Sequence, residues 1–250
     1  MPNKLLPRVH RFAAARFSPE GEYGLHLTLG VAMLVIATAI FAHLAGAVVA
    51  GAPITRLDAE VANWLHAHAR ANSGLRQFLM AVTHVHSTPG ILVLALVAGA
   101  WLYRHGHRYW LVALASAVPG GLVLNVVLKH TFERARPHFA EPLLELSTYS
   151  FPSGHTMAAT VLYGFIACYA SRHARSWSGR VLPFVLAPLI VATVAFSRMY
   201  LGVHYLSDVL AAAAEGCGWL AICIAGAATL NRRSRARARC AGEAAAPRDI

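Results

Sequence analysis

Between Leu25 and Ala50 the chain runs for 26 residues without one Asp, Glu, Lys or Arg. About 20 apolar residues suffice to cross a bilayer as a helix. The run follows a long polar lead and exceeds the roughly 7–15 residues of a signal-peptide core, so it reads as a retained first span, with cleavage after its small C-terminal residues as the minor alternative. Five more apolar runs follow, at Gly90–Tyr103, Tyr109–Leu128, His155–Ser171, Val181–Phe196 and His204–Leu230. With 57% hydrophobic and 13% charged residues, the chain is far from a soluble domain, where about 25% are charged. The expected fold is all-α: a polytopic membrane helix bundle with six transmembrane spans.

The segment between the first two spans has a different pattern. Leu57, Val61, Trp64 and Leu65 recur at helical spacing, with His68 next on that face, and Leu75, Phe78, Leu79 and Val82 repeat it. These predict short amphipathic helices lying on or over the bundle and packing against it. Thr55 and Asp58 have the spacing of a capping box. The sequence Arg104-His105-Gly106-His107-Arg108 reads as a tight loop, Pro119-Gly120-Gly121 as a kink or close-packing point, and Pro183 and Pro188 as prolines that a membrane helix tolerates. The organisation is a basic lead-in over 1–24, a six-span unit over 25–230 and a basic tail over 231–250.

The net charge of +11 does not point to nucleic acid, because no basic stripe interleaves with aromatics. Basic residues fall between and after the apolar runs, as topology signals do. Six spans put both termini on one side, with 15 of the 22 lysines and arginines there and 7 opposite. The positive-inside rule then predicts a multi-pass plasma (inner) membrane protein with cytoplasmic termini. Lys129, Arg136, Ser153, His155, Arg198 and His204 consequently share the outer face. Cys168, Cys217, Cys223 and Cys240 lack metal-type spacing and are expected as free thiols, with no disulfide and no zinc.

That face carries chemistry. In Ser150-Phe151-Pro152-Ser153-Gly154-His155-Thr156, Pro152 ends what precedes, Ser153 is a good N-cap, and Gly154 lets a ligand approach the backbone at a helix N-terminus, where phosphate binds well. In isolation such a turn is an ordinary helix start. His204 and Asp208, four apart, share a helix face, so the carboxylate can hold one imidazole nitrogen and leave the other free to react. Lys129, Arg136 and Arg198 reach the same face and need an anion to offset their repulsion; a phosphoryl group has the charge and geometry. No paired carboxylates suit a divalent metal, so neither metal nor cofactor is expected. On residues alone, the division of labour between His155 and His204 stays open.

Lys129 followed after six residues by Arg136-Pro137, then Pro152-Ser153-Gly154-His155, then Ser197-Arg198, five residues, His204, three residues and Asp208 resemble the three-part signature of the type 2 phosphatidic acid phosphatase family, shared with vanadium haloperoxidases. The resemblance extends from about Leu25 to Leu230. It implies that His204 attacks phosphorus and becomes a phosphohistidine, that Asp208 orients it, and that His155 protonates the leaving oxygen and then activates water. Lys129, Arg136, Ser153, the Gly154 N–H and Arg198 would hold the phosphoryl oxygens. Asn125, one turn before Lys129, and Glu215, on nearly the same face as Asp208, are candidates for support. His84 and His86 are expected to face solvent near the mouth, and His26 and His43 to be interfacial or bundle-facing.

The leading expectation is a metal-independent lipid phosphatase of the outer leaflet. Its substrate would be a lipid phosphate monoester or diphosphate, such as undecaprenyl diphosphate, phosphatidylglycerol phosphate or phosphatidic acid, with its tails left in the membrane. Phosphotransfer to another acceptor such as lipid A is the nearest alternative. Vanadate-dependent halide oxidation fits the same residues but not the spans, and a transporter or lipid-binding bundle would line a path with polar residues rather than gather them at one face. Neither the preferred lipid nor the oligomeric state is legible.

Overall fold

The computed structural model describes residues 25–144 and 146–245, with side chains over 27–144 and 146–234. The lead-in, the His26 side chain, Glu145, Cys240 and the outer part of the arginine tail lie outside the described residues. Eight helices follow in order: α1 Leu25–Val49, α2 Ile54–Ala71, α3 Ser73–Val85, α4 Thr88–Arg104, α5 Arg108–Phe132, α6 Gly154–His173, α7 Trp177–Tyr200 and α8 Leu206–Ala245. Every expected span and both amphipathic segments are helical. Among the described residues there is no strand.

Local chemistry sets the breaks. Asn72 ends α2 in an extended conformation and caps α3, its side chain accepting from Leu75 N at 3.0 Å. Ser87 and Ser176 cap α4 and α7 in the same way, which satisfies backbone N–H groups that a helix start leaves unpaired. Gly106 turns the chain between α4 and α5 at φ +73°.

Helix α6 is the axis of the bundle. It packs on α5, α7 and α8, while α1 lies along α8. Met157, Val161, Leu162 and Phe165 of α6 meet Leu114, Ala117 and Val118 of α5 and Ala212 and Leu220 of α8 in one buried cluster. By length and apolarity four helical stretches qualify as spans: Leu27–Val49, Arg108–Phe132, Trp177–Tyr200 and Leu206–Ser234; the bent pair α3–α4, broken at 57°, makes a fifth if counted as one. Helix α6 falls short because protein rather than lipid encloses much of it, so His155, Thr156, Thr160 and Gly164 are tolerated there. Helix α4, at 17 residues, rises only about 26 Å. The expected count of six thus exceeds what apolarity alone supports.

The amphipathic α2 is rotated by about one residue, roughly 100°, from expectation, so that Leu65 stays inward. Its buried residues are Asp58, Ala62, Leu65, His66 and Ala69, whereas Leu57 is 46% and Trp64 60% exposed. Leu57 and Trp64 share the exposed side with Arg56, Glu60 and Arg70, the mixed apolar and charged surface of a helix lying at a membrane interface. The predicted capping box does not form: Thr55 donates to Ala52 O at 2.8 Å, and Asp58 is drawn inward to the site. His86 is buried and shares a 2.8 Å hydrogen bond with the Tyr163 hydroxyl rather than facing solvent, while His84 is exposed.

The Pro119-Gly120-Gly121 stretch is a close-packing point. A Cβ on Gly120 would lie 2.5 Å from the Trp219 ring, whose indole N–H donates to Ala117 O at 2.9 Å. Packing rather than hydrophobic transfer holds helices together in lipid, so this contact has no cheap substitute. Gly120→Val is expected to lower the melting temperature of the purified protein sharply, whereas Gly99→Ala, whose Cβ would meet Leu111 at 3.5 Å, is expected to leave it nearly unchanged. Differential scanning fluorimetry in detergent checks both.

Candidate active site

Five stretches of chain converge at one end of the bundle: the end of α5 with Lys129, the following loop with Arg134 and Arg136, the start of α6 with Ser153, Gly154 and His155, the end of α7 with Arg198, and the 201–205 turn with His204 that leads into Asp208 of α8. The last turn is made by Leu201 N to Ser197 O at 3.0 Å, Gly202 N to Met199 O at 3.0 Å and Val203 N to Arg198 O at 3.2 Å. Gly202 stands at φ +72°, a conformation glycine adopts without penalty, and it reverses the chain so that His204 points back over the site.

Asp208 is fully buried and is the best-connected side chain here. Its Oδ2 accepts from Tyr205 N at 2.9 Å, from the Ser150 hydroxyl, and from His204 Nδ1 at 3.4 Å. Its Oδ1 accepts from Arg134 Nη1 at 2.6 Å. The Arg134 guanidinium also reaches Asp58 at 2.7 Å and the Ser207 hydroxyl at 2.7 Å, and lies 4.3 Å from the centre of the Tyr205 ring. Asp58 in turn accepts from Ser207 N at 2.9 Å and from its hydroxyl. One arginine therefore lies between two buried carboxylates, one from α2 and one from α8.

On the other side of the imidazole, Arg136 Nη1 lies 3.3 Å from His204 Nε2 and donates to Val203 O at 2.6 Å. The remaining donors of Arg136 hold Thr148 and Tyr149. This network assigns the proton of His204 to Nδ1, facing Asp208, and the lone pair to Nε2, facing the cations. Burial, helped by the charges of Arg136 and Arg198 and opposed by Asp208, pushes the His204 pKa down to about 3. Burial also depresses Arg136. For Arg134 burial works against the charge, but Asp208 and Asp58 outweigh it and hold the guanidinium above its ordinary value.

Lys129 Nζ donates to Tyr149 O at 2.8 Å and Ser150 O at 3.4 Å. Ser153 is fully buried, accepts from Thr156 at 3.1 Å, and donates its N–H to Asp208 O at 3.2 Å. Gly154 has room for no side chain, since a Cβ would come within 3.0 Å of Asn125 Oδ1. His155 is half-buried within the fields of Arg198, His204 and Arg136. Arg198 is 1% exposed and its Nε has no partner. Asn125 and Glu215, which sequence reading offered as separate supports, are joined at 2.9 Å beneath Gly154.

All eight residues proposed from sequence are brought together. Among the described residues Lys129, Arg136 and Arg198 have no carboxylate ion-pair partner, so three positive charges face the same space as His204. Such an excess stabilises a doubly charged anion. Sequence reading missed Asp58, Arg134 and Ser150. It also missed His66, which stacks on Phe139 with centroids 3.9 Å apart and keeps a buried Nδ1 without a partner. Asp58 was visible only as the partner of Thr55 in a capping box, and its actual partner Ser207 is 149 residues away.

An unfolded histidine titrates near 6.5, so between there and about 3 the unfolded chain takes up a proton that native His204 refuses. The stability from keeping this ring neutral is present above the unfolded value and is lost as pH falls through that window. The melting temperature should fall less between about pH 7 and about pH 4 in His204→Asn than in the parent. Equal slopes in a fluorimetric series would contradict the burial of a neutral ring.

The sequence profile described as PAP2 superfamily matches residues 106–232. Phosphatidylglycerophosphatase B of Bacillus subtilis (strain 168) is 37% identical over 138 residues, 54% of this chain and 67% of that protein. Decaprenylphosphoryl-5-phosphoribose phosphatase of Mycobacterium tuberculosis (strain ATCC 25618 / H37Rv) is 37% identical over 133 residues, 51% of this chain and 66% of that protein. Each alignment thus spans about two thirds of the relative's length. The crystal structure of a transmembrane PAP2 type phosphatidylglycerolphosphate phosphatase from Bacillus subtilis superposes with a TM-score of 0.65 at 30% identity, covering 77% of this chain and 94% of that one.

Proposed function

The chain belongs to the PAP2 superfamily and is a membrane lipid phosphatase, and we propose that it works through a phosphohistidine on His204. The observation that carries this reading is the free Nε2 of His204, backed by Asp208 through Nδ1 and facing three cations without carboxylate partners. Nε2 attacks phosphorus in line, forming a P–N bond as the P–O bond to the leaving group breaks. His155 gives its proton to the departing oxygen. It then takes a proton from water, whose oxygen attacks the phosphohistidine, releasing phosphate and restoring His204. Arg136, Arg198, Lys129, Ser153 and the Gly154 N–H hold the equatorial oxygens, where charge builds in the transition state. At 3.4 Å the His204–Asp208 hydrogen bond is long; bound substrate tightens such contacts.

The substrate is a phosphate monoester or diphosphate on a lipid, entering from the leaflet at this end of the bundle while its tails stay among the helices. By their names, the relatives act on phosphatidylglycerophosphate and on decaprenylphosphoryl-5-phosphoribose, which supports a lipid phosphate. The surplus of lysine and arginine on the side of the termini supports cytoplasmic termini and a site on the outer face. Comparing phosphate release from undecaprenyl diphosphate, phosphatidylglycerol phosphate and phosphatidic acid identifies the preferred lipid.

Brief reaction of His155→Gln with a substrate labelled in its terminal phosphate should leave acid-labile, base-stable label on the protein, and His204→Ala should carry none and release no phosphate. Turnover by a folded His204→Ala protein would sink the nucleophile assignment. Removal of Arg198 should lower kcat on the order of 10²–10³-fold.

Asp58 is a positioning residue in this scheme: it fixes Arg134, which fixes Asp208. Asp58→Asn leaves Arg134 half-balanced, and a small displacement at His204 costs on the order of 10²-fold. The loss should fall on kcat with KM little changed, and Asp58→Glu should restore part of it; a loss confined to KM would contradict the assignment.

A further inference from the structure

A cavity of 2340 Å³ opens along the bundle beside α6, walled by α7 on one side and by α1 and α8 on the other. That is more than twice the largest usual small-molecule pocket of about 1,000 Å³. Helix α7 leans on α6 but scarcely touches α8, which leaves the gap. At the site end the lining includes Thr156, Met199 and Leu206; along its length it includes Met33, Val191, Ala213 and Leu220.

The far end differs. There the lining residues are His107, Arg108, Arg172, His173, Asn231 and Arg232. Arg108 stands 21 residues before Lys129 on α5, Arg172 stands 17 after His155 on α6, and Arg232 stands 24 after Asp208 on α8. At 1.5 Å per residue these are about 32, 26 and 36 Å from the site. The three arginines come level one hydrocarbon thickness, roughly 30 Å, from the catalytic end. The charges of Arg172 and Arg232 both act on Tyr109, which also lines the cavity. No carboxylate lines the cavity among the described residues. An apolar groove about one bilayer deep that ends among three guanidinium groups complements one kind of occupant.

We propose that the end of this groove remote from the active site binds an anionic glycerophospholipid of the adjoining leaflet, with its phosphate among Arg108, Arg172 and Arg232 and its acyl chains between α7 and α8. Guanidinium groups grip phosphate through paired hydrogen bonds, and the chains fill volume that no side chain occupies. The lipid is bound there, not turned over, because the reactive histidines are a membrane thickness away.

The test is binding and does not depend on phosphatase activity, so its failure leaves the proposed reaction standing. The full chain, delipidated in a non-ionic detergent, is titrated with dioleoyl phosphatidylglycerol or dioleoyl phosphatidylcholine while its melting temperature is followed. A ligand specific to the native state raises that temperature as its concentration grows. Phosphatidylglycerol should raise it clearly more than phosphatidylcholine. The difference should largely vanish in Arg108→Gln/Arg172→Gln/Arg232→Gln and persist in Arg136→Gln, where only the active-site end is altered. Equal effects of the two lipids in the parent, a difference that survives the triple variant, or one abolished by Arg136→Gln would each overturn the proposal, the last by placing the headgroup in the active site. If the triple variant does not fold, Arg108→Gln and Arg172→Gln singly decide it: each should shrink the difference, and no change in either overturns the site.

Discussion

The carboxylate of Asp208 is the point on which this end of the bundle depends. It draws a hydroxyl from the loop before α6, an amide and an imidazole from the turn before α8, and a guanidinium from the loop after α5, while its own carbonyl receives the N–H of Ser153. A buried carboxylate so satisfied stays ionised. That charge is what lets one nitrogen of His204 keep its proton and the other present a lone pair.

Around this point the charges are arranged in two tiers. Arg134 is neutralised from both sides, by Asp58 and Asp208, and acts as a brace between α2 and α8. Lys129, Arg136 and Arg198 spend their hydrogen bonds on carbonyls and hydroxyls or, at Arg198 Nε, on nothing. Removing one partner of a buried ion pair is far more damaging than never having had it, so the brace is structural and the second tier is reactive. In that tier Arg136 is tied to Thr148, Tyr149 and Val203, and Lys129 to Tyr149 and Ser150; the positive field is relieved when a phosphoryl group arrives.

The convergence of the candidate site residues was legible because each lies at fixed spacing from a neighbour in sequence: Lys129 to Arg136, Ser153 to His155, Arg198 to His204 to Asp208. The helices were legible from apolarity, but the six expected spans are not all supported by it: α6, shielded by its neighbours, and α4, at 17 residues, each fall short alone. What could not be read were contacts between distant stretches. Asp58 has the spacing of a helix cap, and only the fold shows that Ser207 and Arg134 claim it. The inward face of α2 was assigned from its large apolar residues; Leu65 does turn in, but Trp64 and Leu57 face out beside charged residues, as on a helix at a membrane interface. Asn125 and Glu215 were each visible as polar residues in apolar runs, but their pairing across 90 residues was not.

The placement of α7 links the two ends of the molecule. It carries Arg198 at one end and forms one wall of the groove along its length, yet its main packing partner is α6. At its Arg198 end α7 is also held by α3 and α2, through the 3.0 Å Thr83–Ser197 hydroxyl hydrogen bond and the Tyr200 hydroxyl donating to His68 O at 3.2 Å, while Pro183 and Pro188 remove two backbone hydrogen-bond donors nearer its start. Arg198 must hold its place against repulsion from Arg136 with no carboxylate beside it. The small residues on the inner side of α7, such as Ala192 and Ala195, leave volume in the groove. The Arg198 end of α7 is thus set by protein contacts with α6, α3 and α2, and the groove lies along the stretch that those contacts leave open.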